Sequence, residues 1–292
     1  MNRFVDKILL EEMFDLEYTE KTGSRRKKYL SFFRIRFIAG LQYRAAAIAG
    51  IATQFVWGAM SILMFKAFYE VDAGAFPMSF PALSSYIWLQ QALLALFMTW
   101  FLENEIFLTI TDGGIAYELC RPISIYDMWF FRSMANRLSR AVLRCMPILI
   151  VAGLLPSPYR MNLPVSVQAA LWFLVSMLFG FLVVVAFCML VYIITFFTLS
   201  AMGVRLVAVS MVEFFSGAVI PLPFFPEHIR KVLECLPFAS MQNVPLRIYT
   251  GDIVGNEIYY RIVLQLFWLV VLVLFGKWLI KIAIKRVVVQ GG

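Results

Sequence analysis

The sequence is poor in charge. Asp, Glu, Lys and Arg make up 15% of its 292 residues, against roughly 25% in ordinary soluble domains. Residues 161–204 contain no Asp, Glu, Lys, Arg or His. A helix of that length would measure about 66 Å, roughly twice the hydrocarbon thickness of a bilayer. A soluble helix needs a polar face, so the run predicts an integral membrane protein whose chain crosses more than once or turns back.

Residues suited to catalysis or metal binding are also scarce. The only histidine is His228, and the four cysteines lack the spacing of a metal site or a disulfide framework. No phosphate-binding Gly-x-x-x-x-Gly-Lys-Ser/Thr loop is present. We therefore expect a chain that is not an enzyme, binds no metal or cofactor and cannot hydrolyse ATP by itself.

Charge-poor windows predict an all-α integral membrane fold with six transmembrane helices. The fourth window is long enough to predict an overlong or bent helix. Aromatic residues flank the sixth window on both sides, as at membrane interfaces. The six predicted spans are residues 45–65, 84–102, 129–155, 164–196, 206–220 and 262–276.

Lysine and arginine counts predict the orientation, because short cytoplasmic loops are enriched in them. With both termini inside, the inner segments hold 20 of these residues and the outer segments six. The predicted organisation is a cytosolic basic tail (1–27), an amphipathic interface helix (28–44) and a six-span domain (45–292). The charged residues near Met1 interrupt any secretory signal, so we expect the tail to be retained in the cytosol.

The net charge of +8 follows from this topology and does not indicate a nucleic-acid partner. The basic run at residues 25–28 lies where anionic membrane lipids attract bases. In the interface helix, Leu30, Phe33, Phe37 and Leu41 form an apolar stripe. This helix is either a basic anchor for the first span or a lever that couples a cytosolic partner to it.

Glu213 is the one acid deep inside a predicted span. Intramembrane carboxylates are costly and are usually paired or functional. Glu213 either packs between helices, bonded to a neighbouring Ser or Asn or protonated, or it lines a transport path.

A short cytosolic helix is predicted between the second and third spans, at residues 111–122, which we call the coupling segment. Asp112 can cap it across Gly113 and Gly114, and Pro122 ends it. Two turns would leave side chains for contacts with a partner, namely Ile115, Tyr117, Leu119 and Arg121. Beyond it four arginines precede or enter the third span, and their predicted role is to bind lipid headgroups in preference to another ligand: Arg132, Arg137, Arg140 and Arg144.

A second unusual segment follows the fifth span, at residues 215–245, which we call the hairpin. Its prolines Pro221, Pro223 and Pro226 forbid a continuous helix, yet the segment stays apolar enough for membrane depth. This combination predicts a re-entrant pair of short helices on the outer side. The pair either closes the outer end of a cavity or is an interfacial loop without a gating role.

In these two segments the chain resembles the membrane subunits of type-2 ATP-binding-cassette exporters, in particular the bacterial subfamily with a separate ATPase and paired permeases. Cys120 departs from the pattern, since a larger aliphatic residue is expected there. The matching residues are Gly114-Ile115-Ala116-Tyr117-Glu118-Leu119-Cys120-Arg121-Pro122 in the coupling segment, and Ser216-Gly217, Pro221-Leu222, Phe225-Pro226 and Leu236-Pro237-Phe238 in the hairpin.

The resemblance implies a multi-pass permease of the bacterial inner membrane that works as a dimer, mainly through its first and fifth spans. ATP and Mg would bind to partner ATPase subunits docked on the coupling segment. It further implies ATPase coupling through Asp112, Gly113, Gly114, Ile115, Tyr117, Glu118, Leu119, Arg121 and Pro122, and an outer gate of Gly217, Pro221, Phe225, Pro226 and Pro237.

Two other functions remain open on the sequence. One is a structural or assembly subunit of a membrane complex, which would share the same spans. The other is an ATP-independent carrier, which should place several charges or broken helices at mid-membrane, where the sequence has essentially one acid. The sequence assigns no cargo, and the second permease can be the same chain or a homologue.

Overall fold

The computed structural model describes residues 25–121, 123–198 and 200–285. No residue in these ranges lies in a β-strand, which confirms the all-helical prediction for them. Short 3₁₀ turns at Ala73–Ala75, Thr99–Phe101 and Leu222–Phe224 join some of the helices. The α-helices are α1 (Arg25–Leu41), α2 (Arg44–Val71), α3 (Phe80–Ala92), α4 (Leu94–Phe97), α5 (Asn104–Thr111), α6 (Ile115–Leu119), α7 (Ile125–Leu154), α8 (Val167–Thr198), α9 (Ala201–Phe215), α10 (Glu227–Cys235), α11 (Asn243–Thr250) and α12 (Asn256–Ile284).

Serine side chains begin three of the long helices. The Ser124 hydroxyl accepts a hydrogen bond from the backbone N–H of Asp127 at 3.4 Å, at the start of α7. Ser166 and Ser200 do the same for the first turns of α8 and α9, at 3.0 and 3.3 Å. Each hydroxyl satisfies one of the N–H groups that a helix start leaves without a partner.

Helix α8 forms the centre of the bundle. In its most apolar stretch 67% of the residues are buried inside the protein, against 22% in α2 and 17% in α12. Helices α12, α11, α9 and α7 pack around it. Helices α2 and α12 therefore present most of their apolar surface outward, as helices in contact with lipid do.

The two ends of the helical bundle differ in their contacts. We call one end the arginine end, where Arg132 contacts Glu103, and the other the hairpin end, where the hairpin begins. In sequence, the six predicted spans overlap α2, α3 with α4, α7, α8, α9 and α12, and the number of membrane crossings stays a prediction.

Three of the described helices are long and apolar enough to cross a membrane: α2, α8 and α12. They correspond to the first, fourth and sixth predicted spans. The fifth span was placed too late, because α9 ends at Phe215 and Gly217 then adopts a positive φ of 77°. The chain turns there instead of continuing as a helix to residue 220.

The second predicted span, residues 84–102, is not a single helix. Its helical path is broken at Leu93 and again at Met98. Arg137 of α7, only 1% exposed, stabilises the break by donating to the carbonyl oxygens of Leu96 at 3.3 Å and Met98 at 2.7 Å. These bonds supply partners for backbone groups inside the protein. Arg137 is therefore an interior residue, and its predicted role in headgroup binding is wrong.

Helix α1 begins three residues earlier than the predicted interface helix and packs along α7. The Tyr29 and Phe131 rings stack with centroids 5.4 Å apart. Near the other end of α1, a Cβ on Gly40 would lie 2.1 Å from the Ser139 hydroxyl and 2.8 Å from its Cβ, so a larger residue there would require Ser139 or α1 to shift. Leu30, part of the predicted apolar stripe, faces outward.

Candidate functional site

The coupling segment lies at the arginine end, between α5 and α7. Ile115 at the start of α6 is 1% exposed and packs into the main core. The Glu118 carboxylate accepts a hydrogen bond from the indole N–H of Trp129 at 2.7 Å, and Trp129 is buried. These two contacts hold one face of the short helix α6 against the bundle.

The opposite face of α6 is open. Tyr117 is 82% exposed, and Leu119, Cys120 and Arg121 are exposed beside it. Tyrosine and arginine are the side chains that most often carry binding energy in protein interfaces. The segment therefore presents an aromatic, an aliphatic and a cationic group on a short helix that is fixed from behind.

Two predictions about this segment are wrong. Asp112 does not cap α6: it ends α5 and accepts a hydrogen bond from the Thr111 hydroxyl at 3.1 Å. The N-cap of α6 is Gly114, and Gly113 turns the chain between them with a φ of 75°. Ile115 was predicted to contact a partner, but its burial leaves no surface for one. Pro122 lies outside the described residues.

Removing the indole N–H of Trp129 tests the anchoring of α6. The change W129F keeps an aromatic ring and deletes the donor, so Glu118 loses a charge-assisted hydrogen bond worth about 1.5–3 kcal/mol. We expect amide hydrogen exchange in residues 113–121 to accelerate about tenfold or more. The matched control is W100F, which makes the same change at a tryptophan that is 43% exposed. Unchanged exchange in W129F would contradict the anchor.

Helix α1 reaches the end of the coupling segment. The Tyr29 hydroxyl accepts a hydrogen bond from the backbone N–H of Ser124 at 3.3 Å. A displacement of the coupling segment would therefore act on α1 as well as on α7.

The hairpin consists of α10 and α11, joined by a turn at residues 236–242 that inserts between α8 and α12. A Cβ on Gly180 of α8 would lie 2.1 Å from the Met241 carbonyl oxygen, so the contact requires glycine. Gln265 of α12, fully buried, donates to the Ser240 carbonyl at 2.8 Å. Gly180 lies thirteen residues after the start of α8, or about 20 Å along the helix.

The start of the hairpin is bonded to α3 and α11. The carbonyl oxygens of Gly217 and Ala218 accept hydrogen bonds from the Tyr86 hydroxyl at 3.4 Å and from the Gln90 amide at 2.6 Å. The Asn243 amide donates to the Tyr86 hydroxyl at 3.1 Å. The positive φ of Gly217 is thus part of a buried polar junction.

The other predicted gate residues are distributed along the hairpin. Pro221 and Pro226 precede the 3₁₀ turn and α10, whose starts they form. The ring of Phe225 lies 6.0 Å from that of Phe214 on α9. Pro237 lies in the inserted turn, apart from the other two prolines. Their gating role stays a prediction.

The sequence did not reveal a buried ion-pair cluster that joins the hairpin helices to α12. The Glu234 carboxylate of α10 contacts both Arg247 of α11 and Arg261 of α12, and all three residues are buried. Asp252 pairs with Arg247, and Glu257 pairs with Arg261 at 2.8 Å. The one available signal was Arg247, a single charge within an apolar stretch.

Burial by itself would raise the pKa of Glu234. The attraction of Arg247 and Arg261 outweighs it, so the pKa lies below its ordinary value of 4.5. The carboxylate therefore stays ionised at neutral pH and can bind both guanidinium groups.

Glu213 lies half-buried on α9. It forms no hydrogen bond or ion pair with the other residues that the structure describes, so a bond to a neighbouring Ser or Asn is absent among them. A role in lining a transport path stays a prediction.

No group of three or more His, Cys, Asp or Glu side chains in the described ranges could hold a metal ion.

The family model described as "ABC-2 family transporter protein" matches residues 55–291. A comparison with curated proteins finds no match. The matched region contains α3 to α12 and thus both the coupling segment and the hairpin.

Proposed function

The chain belongs to the ABC-2 family of transporter proteins, and from that premise we propose that it is the permease subunit of an ATP-driven exporter. The family makes it a multi-pass membrane protein and the permease component of a transporter, with the ATPase on an associated subunit. The observation that carries the exporter proposal is α6, a short helix anchored through Ile115 and Glu118, with Tyr117 exposed on it and Arg121 exposed just after it. This arrangement suits a docking point for a motor subunit.

The proposed coupling runs from α6 to the bundle. ATP and Mg bind to the partner ATPase, whose closure moves α6. Trp129 passes this movement to α7, and Tyr29 links it to α1. Coupling of this kind requires two states that ATP distinguishes by its affinity. We therefore favour α1 as a lever that couples the ATPase to the first span over α1 as a basic anchor.

We propose that the transporter is a dimer of permeases, formed by two copies or by two homologues. Its interface would lie on α2 and α9, the counterparts of the first and fifth predicted spans. Both helices expose large apolar side chains in support of this, including Trp57, Met60, Leu206 and Phe214. Cargo would leave between the subunits past the hairpin.

The proposed orientation places the arginine end and both termini in the cytosol of a bacterial cell, with six spans in the inner membrane. The lysine and arginine distribution supports it. The hairpin end would face outward, and the membrane lipids would cover the exposed faces of α2 and α12.

Copurification tests the proposed function. The tagged protein is extracted in mild detergent, the bound proteins are identified and ATP hydrolysis is measured. We expect an ATP-binding-cassette ATPase to copurify and to confer hydrolysis. A particle without ATPase would contradict the proposal and favour an ATP-independent carrier or a structural subunit. Loss of export on mutation of Glu213 would separate a permease from a scaffold.

A further inference from the structure

The arginine end contains a cavity of about 470 Å³ between α1, the start of α2 and the middle of α7. Its lining carries four arginines and two glutamates, an excess of positive charge: Arg36, Arg132, Arg140, Arg144, Glu103 and Glu105. This cavity lies apart from the exposed face of α6.

The two glutamates are already used by two of the arginines. Arg132 is buried and pairs with both Glu103 and Glu105. Arg36 lies 3.8 Å from Glu105. Arg132 therefore takes one carboxylate oxygen of each glutamate, while the other oxygen of Glu103 is buried without a hydrogen-bond partner in the described ranges.

Neither Arg140 nor Arg144 forms an ion pair with a carboxylate of the described residues, although Glu103 is near enough to attract Arg140. Both guanidinium groups lie over the Phe101 ring, at 5.2 and 5.8 Å from its centroid. Arg144 also makes a long hydrogen bond of 3.4 Å to the Ala46 carbonyl, while its Nε is buried and unbonded within the described parts. The two residues are one helical turn apart, where like charges repel each other.

We infer that this cavity binds a phosphate group, presented by an anionic membrane lipid, between Arg140 and Arg144. A phosphate accepts paired hydrogen bonds from guanidinium groups and would remove the repulsion between them. Leu102 and Leu143 in the lining provide apolar surface for the adjoining part of a lipid. The neighbouring α2 is apolar enough to cross a membrane, which places the cavity beside lipid.

Such a lipid would contact α1 and α7 together, since the cavity lies between them. The inference rests on the membrane location of the protein and is independent of the ATPase. A negative result in the ATPase experiment would leave it untouched, because its own readout is bound lipid.

The test is lipid retention by the full-length protein. Wild type is incorporated into nanodiscs of phosphatidylcholine with phosphatidylglycerol as the minor lipid, then extracted, and the retained lipids are quantified by native mass spectrometry. We expect phosphatidylglycerol to be enriched over its share in the nanodisc. The double variant R140Q/R144Q should lower this enrichment about tenfold.

The matched control is K281Q/K285Q, which removes the same charge from exposed positions on or just after α12. It should keep the enrichment. A second variant, N136D, adds a carboxylate to the cavity lining and should also lower the phosphatidylglycerol enrichment. It provides the test if R140Q/R144Q does not fold.

Competition identifies the source of the phosphate. If inorganic phosphate displaces the lipid, the site accepts soluble phosphate as well; if it does not, the lipid headgroup is the ligand. Equal enrichment in wild type and R140Q/R144Q would overturn the inference. So would an equal loss in K281Q/K285Q, since the effect would then be general surface charge.

Discussion

Replacing both Tyr117 and Arg121 with alanine should separate the protein from its ATPase. Tyr117 is exposed on α6 and Arg121 just after it, so truncation removes contact surface and leaves the anchor at Glu118 and Ile115 intact. Loss of one interface tyrosine or arginine commonly costs about 2 kcal/mol or more. We expect copurified ATPase to fall at least tenfold, since 1.4 kcal/mol corresponds to that factor.

The control for this experiment removes the same two residue types from the hairpin end. Tyr260 is exposed at the start of α12, and Arg160 is exposed near Asn162, whose carbonyl accepts a bond from Tyr249. The variant Y260A/R160A should keep the ATPase. Retention of the ATPase by Y117A/R121A, at an unchanged thermal unfolding temperature, would rule out docking on α6.

Replacing Glu234 with alanine should cause the largest loss of stability. The change leaves Arg247 and Arg261 buried without the carboxylate that they share. Breaking a buried ion pair in this way costs about 3–5 kcal/mol. We expect the unfolding temperature in detergent to fall by about 6–15 °C, with hydrogen exchange increasing first in residues 227–250.

Glu227 on the same helix supplies the control. Its pairing with Lys231 is exposed, so E227A should leave the unfolding temperature nearly unchanged. The effect of Glu234 should also depend on pH. Because its pKa is lowered in the folded protein from the ordinary value of 4.5, its contribution is present above that unfolded value and disappears as the pH falls through the lower folded value. An E234A protein as stable as wild type at pH 7 would show that the cluster does not hold the hairpin.

Helix positions that depend on local signals could be predicted from the sequence. The charge-free run at 161–204 predicts α8. The prolines of the hairpin predict short helices, which appear as α10 and α11. In these cases the information lies within a few residues of the feature.

Features that depend on contacts between distant residues could not be predicted. The break in the second span is stabilised by Arg137, about forty residues further along the chain, and nothing near Leu96 indicates it. The depth of the hairpin turn follows from Gly180 and Gln265, which the sequence shows only as ordinary residues of apolar helices.

In the candidate site, too, local features could be predicted and contacts between helices could not. The exposed residues of α6 lie in a short local motif, and Tyr117 and Arg121 were predicted to be available for contacts. The anchoring role of Glu118 was not predicted, because its partner Trp129 belongs to the next helix. Ile115 and Glu118 hold α6, whereas Tyr117 and Arg121 are free to bind.

Cross-linking from Cys120 tests the central claim most directly. Cys120 is exposed next to α6, and Cys235, exposed on α10, is first replaced by serine. A photoreactive group on Cys120 should then form an adduct with an ATP-binding-cassette ATPase in native membranes. The control variant C120S/C235S/R160C carries the same group at the hairpin end and should form none. An ATPase adduct from position 160 in place of position 120 would contradict the account.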